Sequence, residues 1–128
     1  MPMKTSTVEL LADAYDVFNR RDIEKILGIM HPNVDWPNGM EGGRVRGRDA
    51  VREYWRRQWS MVDPEVKPVA FEDDEKGRTV VDVHQVVRDL DGKIILDRVV
   101  QHVYSVRDSQ IERMEIRESA EENPERAK

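Results

Sequence analysis

The stretch RVVQHVYSVRDSQIERMEIRE, residues 98–118, decides the architecture. Valine stands at 99, 100, 103 and 106 and isoleucine at 111 and 116, with polar side chains between them. Branched side chains lose rotamer freedom in a helix but pack well on a pleated surface, so the stretch predicts strands. Arg107-Asp108-Ser109 interrupts it, giving one strand over Ile94 to Val106 and another over Gln110 to Arg117. Two more strands precede these, Val66 to Asp73 and Arg78 to Asp89. The turns between them are Asp74-Glu75-Lys76-Gly77 and Asp89-Leu90-Asp91-Gly92, and Asp91-Gly92 is a strong hairpin signal. The second half is therefore an antiparallel meander.

The first half has a different period. Val8, Leu11, Ala12, Tyr15 and Phe18 recur at three- and four-residue steps, which predicts a helix over Thr5 to Asn19. Thr5, Ser6 or Thr7 caps its start, with Glu9 completing a capping box. A second helix is expected from Asp22, a good N-cap, to about Met30, stopped by His31-Pro32. Asn33 to Trp36 reads as a short strand, and the glycines of Pro37 to Gly47 as a loop. A third helix follows from about Arg48 to Ser60 with a wide aromatic face, and Asp63-Pro64 ends the pattern. Helices first and a meander afterwards give an α+β fold, not βαβ winding, with the helices cupped by one sheet face.

The length of 128 residues fits one domain, expected over residues 1–118. The tail, residues 119–128, starts at Ser119, offers no core residue and is expected to be disordered. With no cysteine, a disulfide framework, a thiolate metal site and a cysteine nucleophile are excluded. The 26 acidic against 21 basic side chains leave a net charge of −5, which argues against a nucleic-acid partner. No apolar run reaches membrane-spanning length and the N-terminus lacks a signal-peptide core, so the chain is expected to be cytoplasmic and free of membrane. Arg44, Arg46, Arg48, Arg52, Arg56 and Arg57 are interleaved with acids and read as a solvated face, with an acidic ligand group near Arg44 or Arg46 as the minority reading. No nucleotide loop or cofactor motif is present, so no cofactor is expected.

The segments AYDVFNRRDIEKILGIMHPNVDWPN, VRGRDAVREYWRRQW and RVVQHVYSVRDSQIERMEIRE, in this order, resemble the nuclear transport factor 2-like superfamily, in its SnoaL-like and ketosteroid-isomerase-like members. The resemblance runs from about Thr5 to Glu118. It implies a cone-shaped α+β barrel, three N-terminal helices packed in a curved, mostly antiparallel sheet. It also implies a small-molecule pocket on the concave face and a homodimer through the convex face. The fold hosts isomerases, cyclases, dehydratases, epoxide hydrolases and non-catalytic modules, so it does not fix an activity. Ketosteroid-isomerase chemistry uses a carboxylate base with an oxyanion hole of a tyrosine and a protonated acid. On a gapless overlay these positions fall on Asn38, on Ala14 with Tyr15 beside it, and on Gln101. An amide takes up no proton, so the resemblance stops short of that catalytic set.

Strand alternation assigns the faces. Val81, Val83, Gln85 and Val87 share one side, and Val99, Gln101, Val103 and Ser105 are expected to join them as the uncharged, concave set. His84, His102 and Tyr104 would then lie on the convex, dimer-forming side. A two-histidine metal site there lacks a third ligand, so no metal is expected. Gln85 and Gln101 either donate hydrogen bonds to a ligand oxygen or satisfy each other or a backbone group. Tyr15, Trp36, Trp55 and Trp59 line the pocket or pack the core, with Asn38 at its mouth. Met114 and Ile116 point inward in the last strand with Glu112 near them. Glu112 and Asp35 are the candidate proton carriers, Asp35 requiring a bulge if Trp36 points in. His31 is read as a helix C-terminal cap. The expected function is a cofactor-free isomerase, cyclase or lyase acting on a small hydrophobic carbonyl or hydroxyl compound. The alternative is a non-catalytic ligand-binding or dimerisation module.

Overall fold

The computed structural model describes residues 2–118, with side chains for residues 7–117. The tail from Ser119 and the side chains of Thr5 and Ser6 lie outside the described residues. In chain order the elements are α1 (Pro2–Asn19), α2 (Ile23–Leu27), β1 (Met30–Pro37), β2 (Arg44–Arg46), α3 (Arg48–Trp59), β3 (Asp63–Asp73), β4 (Thr79–Arg88), β5 (Ile94–Arg107) and β6 (Gln110–Glu118). The strands form one sheet in the order β2-β1-β6-β5-β4-β3. Neighbours run antiparallel except β1 and β6, whose parallel pairing joins the helical half to the meander. The fold is α+β, with a curved sheet and few helices.

Leu11, Ala14, Tyr15 and Val17 are the buried face of α1. The helix starts at Pro2, ahead of the expected Thr5–Thr7 cap. It ends in a Schellman arrangement, with the Asp22 N–H on the Val17 carbonyl (3.2 Å) and the Arg21 N–H on that of Phe18 (2.9 Å). Arg21, not glycine, takes the left-handed position at φ 65°. Its guanidinium pairs with Asp63, donates to the Pro64 carbonyl (2.7 Å) and lies over the Trp59 ring, which fixes the turn. The Asn19 amide bonds both Val66 backbone groups (2.7 and 3.0 Å), occupying the open edge of β3.

Several boundaries differ from the sequence reading. Asp22 caps α2 through the Lys25 N–H, but that helix stops at Leu27, and His31-Pro32 belongs to β1. His31 therefore caps no helix; its Nδ1 accepts from the Asn33 N–H (3.0 Å). β2 arises inside the expected loop. β3 begins at Asp63-Pro64, because an edge strand and the bulge at Pro68/Ala70 tolerate proline.

The main correction concerns β5. Val81 pairs with His102, Val83 with Val100 and Gln85 with Arg98, so the His, Arg and Tyr set of β5 is concave. The uncharged-inward rule fails because Val103 and Val80, each 3% exposed, pair on the outer side. A second shift occurs in β6. Ser105 pairs with Arg113 and Val106 with Ile111, leaving Glu112 as the extra residue of a bulge. Among the described residues, no helix is long and apolar enough to cross a membrane.

Candidate functional site

Between α1, α3 and the concave sheet face lies a cavity of about 210 Å³. Its walls are aromatic and apolar for a sequence reason: the apolar faces of α1 and α3 and of alternate strand positions converge there. Trp36, Tyr54, Trp55 and Phe18 form one side, while Val87, Leu96, Met114 and Ile116 come from the sheet. Trp36 meets Trp55 edge to face, with ring centres 5.5 Å apart. Among the described residues that line the cavity none is Asp or Glu.

Its polar feature is a hydrogen-bonded chain. Tyr104 donates to the Tyr15 oxygen at 2.8 Å, and that hydroxyl lies 2.8 Å from Nδ1 of His102. Tyr15 has one proton, and Nδ1 is the acceptor in reach. The network therefore assigns the imidazole proton to Nε2, which has no other partner among the described residues. Burial, reinforced by the Arg98 charge, pushes the His102 imidazole down to about 4, so it is neutral at ordinary pH. Burial likewise raises both tyrosines, so their hydroxyls stay protonated. Farther along β5, Arg98 donates from Nε to the Gln85 amide oxygen at 3.1 Å. Tyr54 accepts from the Gly39 N–H (3.0 Å), tying the β1–β2 loop to α3.

Of the residues singled out in the sequence, Tyr15, Trp36, Trp55, Gln85 and Met114 line this cavity. Asn38 does not: its Oδ1 accepts from the Met40 and Glu41 N–H groups (3.2 and 2.9 Å), an Asx turn that shapes the loop. Trp59 stacks on the far side of Trp55 at 6.0 Å. Gln101 sits on the outer face in a ladder, donating to Asp82 (2.9 Å) and accepting from Arg117 (3.1 Å). Glu112 is turned out by its bulge and pairs with Arg107 at 2.6 Å. His84 is on the outer face beside Asp97 (2.7 Å), opposite to His102, so the two histidines cannot share a ligand.

Asp35 alternates outward from Trp36 and is enclosed by Arg44 (2.5 Å), Arg46 (3.3 Å) and Arg113. Burial would raise its carboxyl, but the Arg44 hydrogen bond and the three guanidinium charges outweigh it and hold it below the usual carboxylate range. Arg44 also reaches the carbonyls of Asp35 and Met114, so the cluster seams β2, β1 and β6. Asp35→Asn is expected to cost about 2 kcal/mol, less than a fully buried pair because the arginines are partly exposed. Urea unfolding checks the cost, and ligand binding in the cavity should survive the change.

His102, Tyr104 and Arg98 are the cavity residues that the face assignment missed; a correct strand register would have found all three. A model of the SnoaL-like domain matches residues 11–114. No curated protein sequence matches the chain. Among solved structures, TerC co-crystallised with polyporic acid is 28% identical, with a TM-score of 0.76 over 94% of this chain and 96% of that one. An NTF2-like protein of unknown function from Burkholderia pseudomallei K96243 is 23% identical, with a TM-score of 0.76 over 94% and 95%. SalBIII, an epoxide hydrolase/cyclase-like enzyme with a role in pyran ring formation in the polyether salinomycin, is 16% identical, with a TM-score of 0.77 over 94% and 96%.

Proposed function

Because the chain belongs to the SnoaL-like domain family, we propose that its cavity is the site of cofactor-free isomerisation, cyclisation or elimination on a small, flat, hydrophobic carbonyl or hydroxyl compound. The observation that carries this reading is the Tyr104–Tyr15–His102 chain, which ends at Nε2 of a neutral imidazole in an aromatic cavity. A neutral imidazole that donates a hydrogen bond polarises a carbonyl oxygen without giving up its proton, and a dry, preset environment strengthens that bond. Tyr15 fixes the ring and its tautomer, and Tyr104 fixes Tyr15. The volume is below the ~300–1,000 Å³ of drug-sized sites, which points to compounds of one or two rings. The likeness to TerC with polyporic acid and to SalBIII supports the ligand and reaction classes.

The scarcity of carboxylates supports a second reading, a binding module that leaves its ligand unchanged. A homodimer through the outer face belongs to the proposal too, with His84, Asp82, Gln101 and Arg117 on that face in place of His102 and Tyr104.

A panel of one- and two-ring hydroxy-carbonyl compounds, screened by thermal shift and followed by mass spectrometry of each binder, separates the two. The enzyme reading expects at least one converted binder. It also expects turnover to fall about 100-fold or more in His102→Phe, which has no donor; that is the scale for losing one preset donor to a developing oxyanion. Asp35→Asn and Glu112→Gln should leave turnover within a few-fold. Binders without conversion would establish the module, and an equal loss in Glu112→Gln would overturn the His102 assignment.

A further inference from the structure

The cavity holds a guanidinium with no acid to match it. Arg98 is half-buried on the concave face of β5 and lines the cavity with Gln85, its cross-strand neighbour. Among the described residues its one hydrogen bond runs from Nε to the Gln85 oxygen (3.1 Å), and no carboxylate lies within ion-pair distance. This contrasts with Arg44, Arg52, Arg57, Arg78 and Arg113, each of which meets an acid. With Nε engaged, both terminal amino groups of the fork remain, and they match two oxygens of one anion. Arg98 and His102 stand four residues apart on one face of β5, about 13 Å along the strand, with Val100 between them.

We infer that Arg98, held in place by Gln85, anchors an anionic oxygen of the ligand. The ligand class is thus a planar organic acid whose carboxylate or comparable acidic group meets Arg98 while a carbonyl or hydroxyl oxygen reaches toward His102. This rests on the cavity being a ligand site. An unpaired guanidinium among apolar walls sets up a standing positive potential, and low local polarity strengthens it. The potential reaches His102, where the Arg98 charge adds to burial in disfavouring protonation. A bound anion offsets that charge and removes this smaller contribution, while burial goes on holding the imidazole neutral.

The test compares 6-hydroxy-2-naphthoate, whose hydroxyl and carboxylate lie at opposite ends of the rings, with its methyl ester, which has the same rings and hydroxyl but no charge. Calorimetry and tryptophan fluorescence follow both with the full chain and with Arg98→Met and Arg98→Lys. The expected result is a preference for the acid of about ten- to a hundredfold in the unmodified chain, the worth of a charge-assisted bond. Arg98→Met should abolish the preference while leaving ester affinity within about threefold, and that ester binding shows an intact cavity. Arg98→Lys should keep part of it, since the charge persists without the fork. Equal binding of acid and ester by the unmodified chain, or an undiminished preference in Arg98→Met, overturns the anion anchor while the ligand site stands. Binding of neither probe overturns the ligand-site reading and the anchor with it.

Discussion

Trp55→Ala is expected to destabilise the protein by about 3–5 kcal/mol, a large part of the ~5–15 kcal/mol typical of a whole domain. Trp55 is 2% exposed and is the hub of the aromatic cluster. Phe18 and Trp36 meet it edge to face, with centres 5.3 and 5.5 Å away, and Trp59 stacks on it at 6.0 Å. Truncation removes the transfer energy of the indole and leaves a void that the rigid sheet behind it cannot close. The void opens onto the ligand cavity, so binding should weaken along with folding. Trp59→Phe should cost less, because the Trp59 N–H is buried without a partner among the described residues and its removal relieves that burden. Urea denaturation of both variants checks the ranking, and a Trp55→Ala protein within 1 kcal/mol of the parent would contradict it.

The second large effect is a pH dependence. The His102 imidazole titrates at about 4 in the folded protein against 6.5 when unperturbed. Between these values the unfolded chain binds a proton that the native state refuses. Stability from this source is complete above pH 6.5 and falls as the pH drops toward 4, by on the order of 3 kcal/mol; below that both states are protonated and the slope ends. His102→Gln removes the proton and keeps an acceptor for Tyr15. Unfolding free energies at pH 7, 6, 5 and 4.5 should show the parent losing stability relative to this variant, and parallel curves would refute the assignment. Tyr15, Tyr104 and Arg98 are the titratable and charged groups placed around the ring, and the tyrosines titrate far above this window.

The fold was legible because period is a property of neighbouring residues. The 3.6-residue rhythm of α1 and α3 and the β-branched runs of β3 to β6 survive in the sequence whatever the tertiary context. The cavity was harder to read, since faces depend on register. In β4 the inward set was clear from Val81, Val83 and Val87. In β5 both sides carry valine, and the choice fell on the less polar one, although a cavity is where polar groups point inward. The Asp91-Gly92 turn does not settle it. Beside the turn Asp89 meets Lys93 and Arg88 pairs with Ile94, a register that, carried on, would set Val81 against Gln101. The shift between Val87 and Arg88 leaves Ile95 extra and brings His102 opposite Val81. No sequence signal marks that bulge or the one at Glu112; the latter shows only when Ile111 and Met114 are both seen to face inward. Asn38 is different again. Its backbone position follows the sequence reading, but two N–H groups of its own loop take the side chain.

The parallel seam between β1 and β6 also orders events in time. A ribosome releases β1 and all three helices long before β6, yet β1 has no neighbour on that side until β6 arrives about 80 residues later. The contact that joins the helical half to the meander spans most of the chain, a topology associated with slow folding. A chain cut short before Gln110 would keep every helix and most of the sheet, including the β5 partners of Tyr15, and would lose Ile111 and Met114 from the cavity wall. The cavity is thus complete only once β6 is laid down: the sixth strand in chain order is the one that turns a collapsed chain into a container.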